Sequence, residues 1–154
     1  MLFRSVSQSR YRERENDMRE ILFRGKRVDN GEWVYGGLIT YNLLQKQRCL
    51  IISFYAELVN FKIEAKQMSE FVIPETVGQY TGLTDKNGTK IFEGDILGCV
   101  DRIVRVNWNK ENGLWDSEFL SYTHKPLCSN GIKAVDWKFR AEVIGNIHER
   151  ENDE

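Results

Sequence analysis

The stretch VGQYTGLTDKNGTKIFEGDIL, residues 77–97, decides the fold, because turn residues and apolar alternation agree there most closely. Within it, Asp85-Lys86-Asn87-Gly88 predicts a turn. Asx side chains form hydrogen bonds with the local backbone, and Gly88 accepts a positive φ without a Cβ clash. The flanking segments Tyr80–Thr84 and Lys90–Phe92 are therefore predicted to pair as a β-hairpin.

A second turn signal follows at Glu93-Gly94-Asp95, before the apolar run Ile96–Val100. The chain is thus expected to reverse twice within a short span, which is typical of a β-meander. Glu93 and Asp95 would point the same way on an extended segment, an arrangement that suits acid–base chemistry or cation binding. The favoured alternative is structural, because an Asp after Gly is well placed to accept bonds from backbone N–H groups in a tight turn.

The run Gln79–Ile96 closely resembles the central motif of the YopX family of phage and prophage proteins. Two further segments fit: Met18–Gly37 resembles the N-terminal start of that family, and Glu142–Glu149 resembles its C-terminal strand. The closing motif of the family more often has Tyr where this chain has His148. The resemblance implies an all-β fold that contains an SH3-like β-barrel, in a small soluble protein encoded by a phage or prophage. It implies no established activity.

The composition predicts one domain without a strong electrostatic field. Of the 154 residues, 41% are hydrophobic, which is enough for one core and too few for two large domains. The formal net charge is -1, so no overall charge steers nucleic acid or an anionic membrane toward the chain. No apolar run approaches the roughly 20 residues of a membrane helix, and no secretory signal is recognisable. We therefore expect a cytoplasmic protein of the bacterial host cell.

The cysteines and histidines give little support for a metal, cofactor or catalytic site. Cys49, Cys99 and Cys128 lie far apart without a Cys-x-x-Cys spacing, and an odd number cannot form a closed disulfide framework. His124 and His148 are not at zinc-finger spacing with a cysteine pair. A nucleophilic dyad of Cys99 or Cys128 with His124 is conceivable, but packing is the favoured role of Cys99 in its apolar strand. We expect no cofactor, no metal and no enzymatic activity.

The domain organisation follows from the distribution of apolar residues. Residues 1–17 are polar and rich in Arg and Glu, and they are predicted to be a disordered N-terminal extension. Residues 18–150 are interpreted as a single YopX-like β-domain, and residues 151–154 as a flexible charged tail. The stretch Leu43–Ser69 matches no part of the family pattern and is interpreted as a long inserted β-rich segment.

A first hairpin is predicted near the start of the β-domain. Asn30-Gly31 joins Ile21–Arg24 to Glu32–Ile39, and this dipeptide is a strong hairpin signal because both turn positions favour positive φ. Gly36-Gly37 interrupts the second of these strands, which predicts a bulge or a sharp bend.

The inserted segment is predicted to add further strands. Cys49–Tyr55 is rich in β-formers, and apolar residues alternate with period two from Leu58 to Ala65. One short helix is the alternative within Ala56–Met68, because several strong helix formers lie there. A short strand, Phe71-Val72-Ile73, ends at Pro74, which cannot donate to a β-ladder.

The clearest half-buried strand of the C-terminal half is Ile103–Trp108, in which apolar and polar residues alternate. A turn at Asn109–Gly113 leads to a returning strand at Leu114–Tyr122. The last two strands are predicted at Ala134–Phe139 and Ala141–Ile147.

Nucleic-acid binding is the alternative function that the aromatic and basic residues suggest. Small barrels bind single strands by stacking bases on exposed aromatic side chains, while Lys or Arg contact the phosphates. The candidate binding residues are Trp33, Tyr35, Tyr80, Lys86, Arg102 and Arg105. Most aromatic residues of so small a domain are expected in its core, so their number alone decides nothing.

The favoured interpretation is a non-enzymatic β-barrel protein that binds another protein, or a second copy of itself as a homo-oligomer. The insertion Leu43–Ser69 carries an apolar face that offers a surface for self-association, and edge strands of a partly open barrel invite pairing. Simple coverage of the barrel by this insertion is the alternative. A hydrophobic interface predicts an oligomer that is insensitive to salt, whereas phosphate contacts predict an affinity that falls steeply as salt rises.

Overall fold

The computed structural model describes residues 19–59, 62–99, 101–123 and 137–149, which form two antiparallel sheets. The predicted N-terminal extension and C-terminal tail lie outside these residues. The strands are β1 (Phe23–Lys26), β2 (Trp33–Leu43), β3 (Lys46–Val59), β4 (Lys62–Val72), β5 (Gly78–Thr84), β6 (Lys90–Phe92), β7 (Asp95–Cys99), β8 (Arg102–Asn109), β9 (Leu114–Tyr122) and β10 (Ala141–Asn146).

The strand order confirms the all-β fold class. One sheet has six strands in the order β4-β3-β2-β1-β5-β6, and the other has four strands in the order β10-β7-β8-β9. Neither order closes on itself in the described part of the chain, so the SH3-like barrel stays a prediction.

Helical structure is limited, in the described residues, to a 3-10 turn at Pro74–Thr76 and the single-turn helix α1 (Trp137–Arg140). The strand predicted at Ala134–Phe139 is therefore wrong over its described residues. Trp137 at the start of α1 and Ala141 at the start of β10 are both completely buried in the same core cluster.

The two predicted hairpins are confirmed, with one change in the first turn. β1 pairs with β2, and β5 pairs with β6, both antiparallel. In the turn between β1 and β2, Gly31 alone takes a positive φ, of 73°. Asn30 stabilises the turn differently, because its Oδ1 accepts a hydrogen bond of 3.0 Å from the backbone N–H of Glu32.

At Gly36-Gly37, where the sequence predicts a bulge or a bend, β2 changes its partner. Phe23 of β1 pairs with Gly36, whereas Gly37 already pairs with Ile52 of β3. A Cβ atom at Gly36 would lie 2.1 Å from the backbone oxygen of Ile52. Glycine is therefore required there by the close approach of two backbones.

Beyond Gly36-Gly37, β2, β3 and β4 form a long antiparallel unit, which we call the platform. The strands predicted in the inserted segment are thus confirmed in its described residues, and the short helix considered as an alternative is not seen there. Register pairing places Ile39, Leu50 and Phe71 side by side on one face, which we call the outer face. The opposite, inner face carries Cys49 and Val72 and belongs to the core.

Two apolar clusters form the core of the described residues. The first comprises Ile91, Leu97, Cys99, Val104, Val106, Trp137 and Ala141, and it lies against the four-stranded sheet. The second lies under the platform and is built on Cys49, Ile51 and Val72. The central motif, residues 77–97, supplies residues that pack on both clusters, Ile91 and Leu97 in the first and Val77 beside the second. It therefore links the two sheets.

Candidate functional site

The Asp85 turn connects the hairpin β5–β6 to β10. One carboxylate oxygen of Asp85 accepts hydrogen bonds from the backbone N–H groups of Asn87 and Thr89, at 2.8 and 2.9 Å. The other oxygen accepts a bond of 3.0 Å from the backbone N–H of Val143 in β10. Burial raises the pKa of this carboxyl, but the three backbone N–H groups outweigh burial and the pKa is lowered overall. Gly88 follows with a φ of 84°.

Asp95 holds the second turn of the central motif. Its side chain is 1% exposed and forms an ion pair with Arg24, which is also buried. It also accepts hydrogen bonds from the backbone N–H of Phe92 at 2.7 Å and from Nδ2 of Asn146 at 3.3 Å. Burial raises the pKa of Asp95, and the charge of Arg24 opposes that rise. Gly94 turns the chain before it with a φ of 83°.

The three candidate aromatic residues lie in one cluster around Arg24 and Phe92. The guanidinium carbon of Arg24 lies 4.6 Å from the ring centroids of both Trp33 and Phe92. Tyr35 and Tyr80 pack on the same Phe92, with centroid distances of 5.6 and 5.5 Å. Tyr80 is buried, so its ring is not available for stacking, whereas Tyr35 is exposed. The cluster stabilises the buried ion pair through cation–π contacts.

The three candidate basic residues lie on other elements, each beside a carboxylate. Lys86 pairs with Glu142 at 2.6 Å, and Arg105 pairs with Glu118. Arg102 is buried and pairs with the neighbouring Asp101 at 2.8 Å. A phosphate group would have to displace these carboxylates, so the structure gives no continuous basic track at the predicted residues.

Glu93 and Asp95 do not form one site, because the turn at Gly94 separates their side chains. Asp95 lies inside the protein, whereas Glu93 lines a small cleft of about 250 Å³ with Arg19, Gln79 and two tryptophans. Burial raises the pKa of Glu93, while the Gln79 backbone N–H and the charge of Lys110 lower it. The two carboxylates are therefore not arranged as an acid–base pair.

A larger groove, of about 520 Å³, lies at the end of the platform nearest the β2–β3 turn. Its apolar lining is Val28, Tyr41, Leu43, Cys49, Phe71, Val72 and Pro74, and its charged lining is Asp29, Arg48 and Glu70. Arg27 pairs with both Asp29 and Glu70, at 2.7 and 3.3 Å. Mostly apolar concave surfaces with a few charged groups are typical of binding sites.

The turn between β2 and β3, which we call the tip, adjoins this groove. It consists of Leu44 and Gln45, and both have positive φ, of 49° and 63°. Such angles are unfavourable for residues with a Cβ atom. Leu44 is also 89% exposed. An apolar side chain held in a strained, exposed turn adds nothing to the core, and such outliers often mark functional positions.

The described residues offer little catalytic chemistry. Among them, no three His, Cys, Asp or Glu side chains come together as a metal site would require. Burial raises the pKa of the Cys99 and Cys49 thiols, which keeps both in the unreactive thiol form. His124 and Cys128 of the conceivable dyad lie outside the described residues. The one α-helix of the described chain is a single turn, and no helix there has the length and apolar character to cross a membrane.

Sequence reasoning did not identify the tip, the groove or the ion pair of Arg24 with Asp95. The groove combines residues from four separate segments, so no local pattern marks it. The tip lacks the Gly and Asn residues that identify tight turns. The one available signal was the adjacent pair Leu43-Leu44 at the end of a strand, where a turn residue is expected.

The fold defines an all-β protein of two antiparallel sheets, joined through the carboxylates of the central motif, residues 77–97. The β-meander predicted there is wrong beyond its first hairpin, because β6 and β7 do not pair and belong to different sheets. The family model described as YopX protein matches residues 22–152. The chain therefore belongs to the YopX family, and the resemblance seen in its motifs is confirmed. No curated protein matches the chain.

Proposed function

We propose that the chain is a non-enzymatic protein-binding module whose partner is a second copy of itself. We further propose that the protein is encoded by a phage or prophage and acts in the cytoplasm of its host, and the family membership supports this proposal. The observation that carries the proposal is the apolar outer face of the platform. Ile39, Leu43, Phe54 and Phe71 are all exposed there, the least exposed at 46%. Contiguous exposed apolar residues mark interaction sites in soluble proteins.

Complementary apolar surfaces favour a second copy as the occupant of the groove. The tip offers the exposed apolar side chain of Leu44. The groove offers apolar walls, and its charges balance one another, because Asp29 and Glu70 both pair with Arg27 and Arg48 also lines the groove. An exposed apolar tip thus matches a largely apolar groove. Because every copy carries both features, a two-fold dimer can insert each tip into the groove of the other.

Nucleic-acid binding is the second candidate function, and the contacts of its predicted residues favour it less. Lys86, Arg102 and Arg105 each lie beside a carboxylate, and the net charge is -1. The protein therefore has no net positive field that would attract phosphates. Binding to protein needs no such field, since burial of the apolar outer face supplies the free energy.

The tip gives a variant that separates association from folding. In Leu44→Asn the apolar side chain is lost, but Asn tolerates a positive φ better than Leu does. We expect this variant to be at least as stable as the wild type in urea. Burial of one Leu contributes about 1.5–3 kcal/mol, so the dimer should dissociate at least about tenfold more readily. Sedimentation velocity over a range of concentrations measures this change.

Gln45→Asn is the matched control, because it relieves the same strain at the neighbouring position without removing an apolar group. It should associate as the wild type does. A second variant, Phe71→Gln, tests the groove wall, and the 56% exposure of Phe71 indicates a small effect on folding. Unchanged association of both Leu44→Asn and Phe71→Gln would contradict the proposed interface.

A further inference from the structure

The small cleft beside Glu93 is a second site, because it shares no lining residue with the groove. Its lining comes from the residue Arg19 before β1, from Gln79 in β5, from the β6–β7 turn and from the β8–β9 hairpin. A volume of about 250 Å³ is below the range of pockets for drug-sized ligands. It therefore suits one planar ring system rather than a large molecule.

Two tryptophans form the aromatic side of the cleft. Trp108 and Trp115 lie opposite each other on β8 and β9, with ring centroids 5.0 Å apart and planes at 70°. Trp108 remains 40% exposed, so part of its ring is open to a ligand. The indole Nε1 of Trp115 is buried and has no hydrogen-bond partner among the described residues. Buried indole N–H groups usually have an acceptor, which leaves a donor here for a ligand atom.

Charged groups form the other side of the cleft. Glu93 contributes a half-buried carboxylate, which can accept two parallel hydrogen bonds from adjacent N–H groups. Arg19 lines the same cleft, and Lys110 is near enough to interact with Glu93 electrostatically. The cleft thus combines an aromatic surface, a carboxylate and two cations.

We propose that this cleft binds a guanine base that carries a phosphate group. An exposed indole stacks on any base, since every base has a π-face. The Watson–Crick edge of guanine presents two adjacent N–H donors, which match the two carboxylate oxygens of Glu93. Arg19 and Lys110 supply the positive charge that a phosphate needs.

The same groups discriminate against the other ligands that tryptophans attract. Adenine and cytosine place a ring-nitrogen acceptor beside their amino group, and this lone pair would face a carboxylate oxygen. Uracil has one N–H between two carbonyl oxygens, so it repels a carboxylate on both sides. An organic cation would be attracted by the indoles and Glu93 but repelled by Arg19 and Lys110. Of these ligands, only guanine with a phosphate complements both the carboxylate of Glu93 and the positive charges of Arg19 and Lys110.

Tryptophan fluorescence of the full chain tests the proposal during titration with the four nucleoside monophosphates. We expect guanosine monophosphate to quench the emission at concentrations at least about tenfold lower than the other three. In Glu93→Gln this preference should be lost, because the amide has one acceptor oxygen and an NH2 donor, so it cannot accept two parallel hydrogen bonds from adjacent N–H groups. Glu118→Gln is the matched control, since it removes an exposed carboxylate outside the cleft. It should retain the preference.

A second variant keeps the test decisive if Glu93→Gln does not fold. Arg19 is exposed and precedes the first strand, so Arg19→Ala is expected to fold. It should abolish the advantage of guanosine monophosphate over guanosine.

Single-stranded oligonucleotides that carry either one G or one A at the same position show whether the bound base belongs to a free nucleotide or to a nucleic-acid strand. Tight binding of the free nucleotide indicates a nucleotide ligand, whereas G-dependent binding of the oligonucleotide alone indicates a strand, and both results support the guanine site. Equal binding of all four nucleotides would overturn the proposal. So would an absence of binding by every nucleotide and oligonucleotide, or an unchanged guanine preference in Glu93→Gln.

Discussion

Asp85 and Asp95 show how single buried carboxylates organise the central motif. Each accepts hydrogen bonds from backbone N–H groups, and the N–H of Phe92, whose bond Asp95 accepts, would otherwise be buried without a partner. Asp95 also carries the ion pair with Arg24 at the centre of the aromatic cluster. Loss of either partner would leave an uncompensated buried charge, which is far more costly than loss of the whole pair. Asp85 and Asp95 therefore have a structural role in the fold.

Substitution of Asp85 by Asn should destabilise the protein in a pH-dependent way. The Asn amide presents an N–H where Oδ2 now accepts a bond from Val143, so about 1–3 kcal/mol of unfolding free energy should be lost near neutral pH. The folded-state pKa of Asp85 lies below its ordinary value of 3.8. The stabilisation by the carboxylate is therefore fully present above that value and is lost as the pH falls through the folded-state pKa.

Urea unfolding of the wild type and Asp85→Asn between neutral pH and about pH 3 measures this effect. The difference between the two proteins should shrink on acidification. Asp116→Asn, at an exposed aspartate, is the control and should change stability by less than about 0.5 kcal/mol. A difference that grows at low pH would show that the carboxylate of Asp85 does not have this role.

At the scale of elements, the change of partner along β2 decides how the platform joins the rest of the protein. The strand passes from β1 to β3 at Gly36-Gly37, and a Cβ atom at Gly36 would lie closest to the backbone of Ile52. Beyond this point Cys49, Ile51 and Val72 of the inner face are buried, whereas the apolar side chains of the outer face are exposed. This exposed outer face is the surface that we propose for association.

Gly36 and Gly37 form a matched pair for testing the close approach of β2 to the backbone of Ile52. In Gly36→Ala the new methyl group meets the backbone oxygen of Ile52 at 2.1 Å, so the strands must move apart. We expect a loss of at least about 1–3 kcal/mol in the free energy of unfolding. In Gly37→Ala the nearest atom is 3.8 Å away, and stability should change little or rise slightly. Equal effects in thermal unfolding would contradict the close approach.

The sequence predicts those elements whose turns carry Gly, Asn or Asp. Asn30-Gly31, Asp85-Lys86-Asn87-Gly88 and Asn109–Gly113 all mark turns that the structure contains. The tip at Leu44-Gln45 was not predicted, because neither residue favours a positive φ. The sequence predicts a strand where α1 lies, because in so short a segment Trp137 and Phe139 do not distinguish the two-residue period of a strand from the 3.6-residue period of a helix. The burial of Trp137 depends on core residues distant in sequence, such as Ile91 and Leu97, which local patterns do not contain.

For the candidate sites, the sequence identified residue types rather than their arrangement. It singled out Trp33, Tyr35 and Tyr80, which the structure gathers around Arg24 and Phe92. The sequence does not show which basic residues form ion pairs with carboxylates, because ion pairs such as Arg105 with Glu118 form only when strands pair. The exposure of the outer face likewise depends on the absence of a covering layer in the described fold.

At the scale of the whole molecule, the two proposed sites would serve different partners. The groove and outer face are mostly apolar and suit a second copy of the chain. The cleft beside Glu93 is small and polar on one side and suits a single base. Because they share no lining residue, a substitution in one site should leave binding at the other unchanged, provided that the sheets stay intact.

Self-association of the wild-type chain is the central claim, and sedimentation equilibrium over a wide range of protein concentrations tests it most directly. The mass should rise from that of one chain, 18.1 kDa, to that of two. The protein concentration at which half of the chains are dimeric should change little between about 0.1 M and about 1 M NaCl, because an apolar interface is only weakly screened by salt. A constant monomer mass at every concentration would contradict the account, and a dimer that dissociates in high salt would contradict its apolar basis.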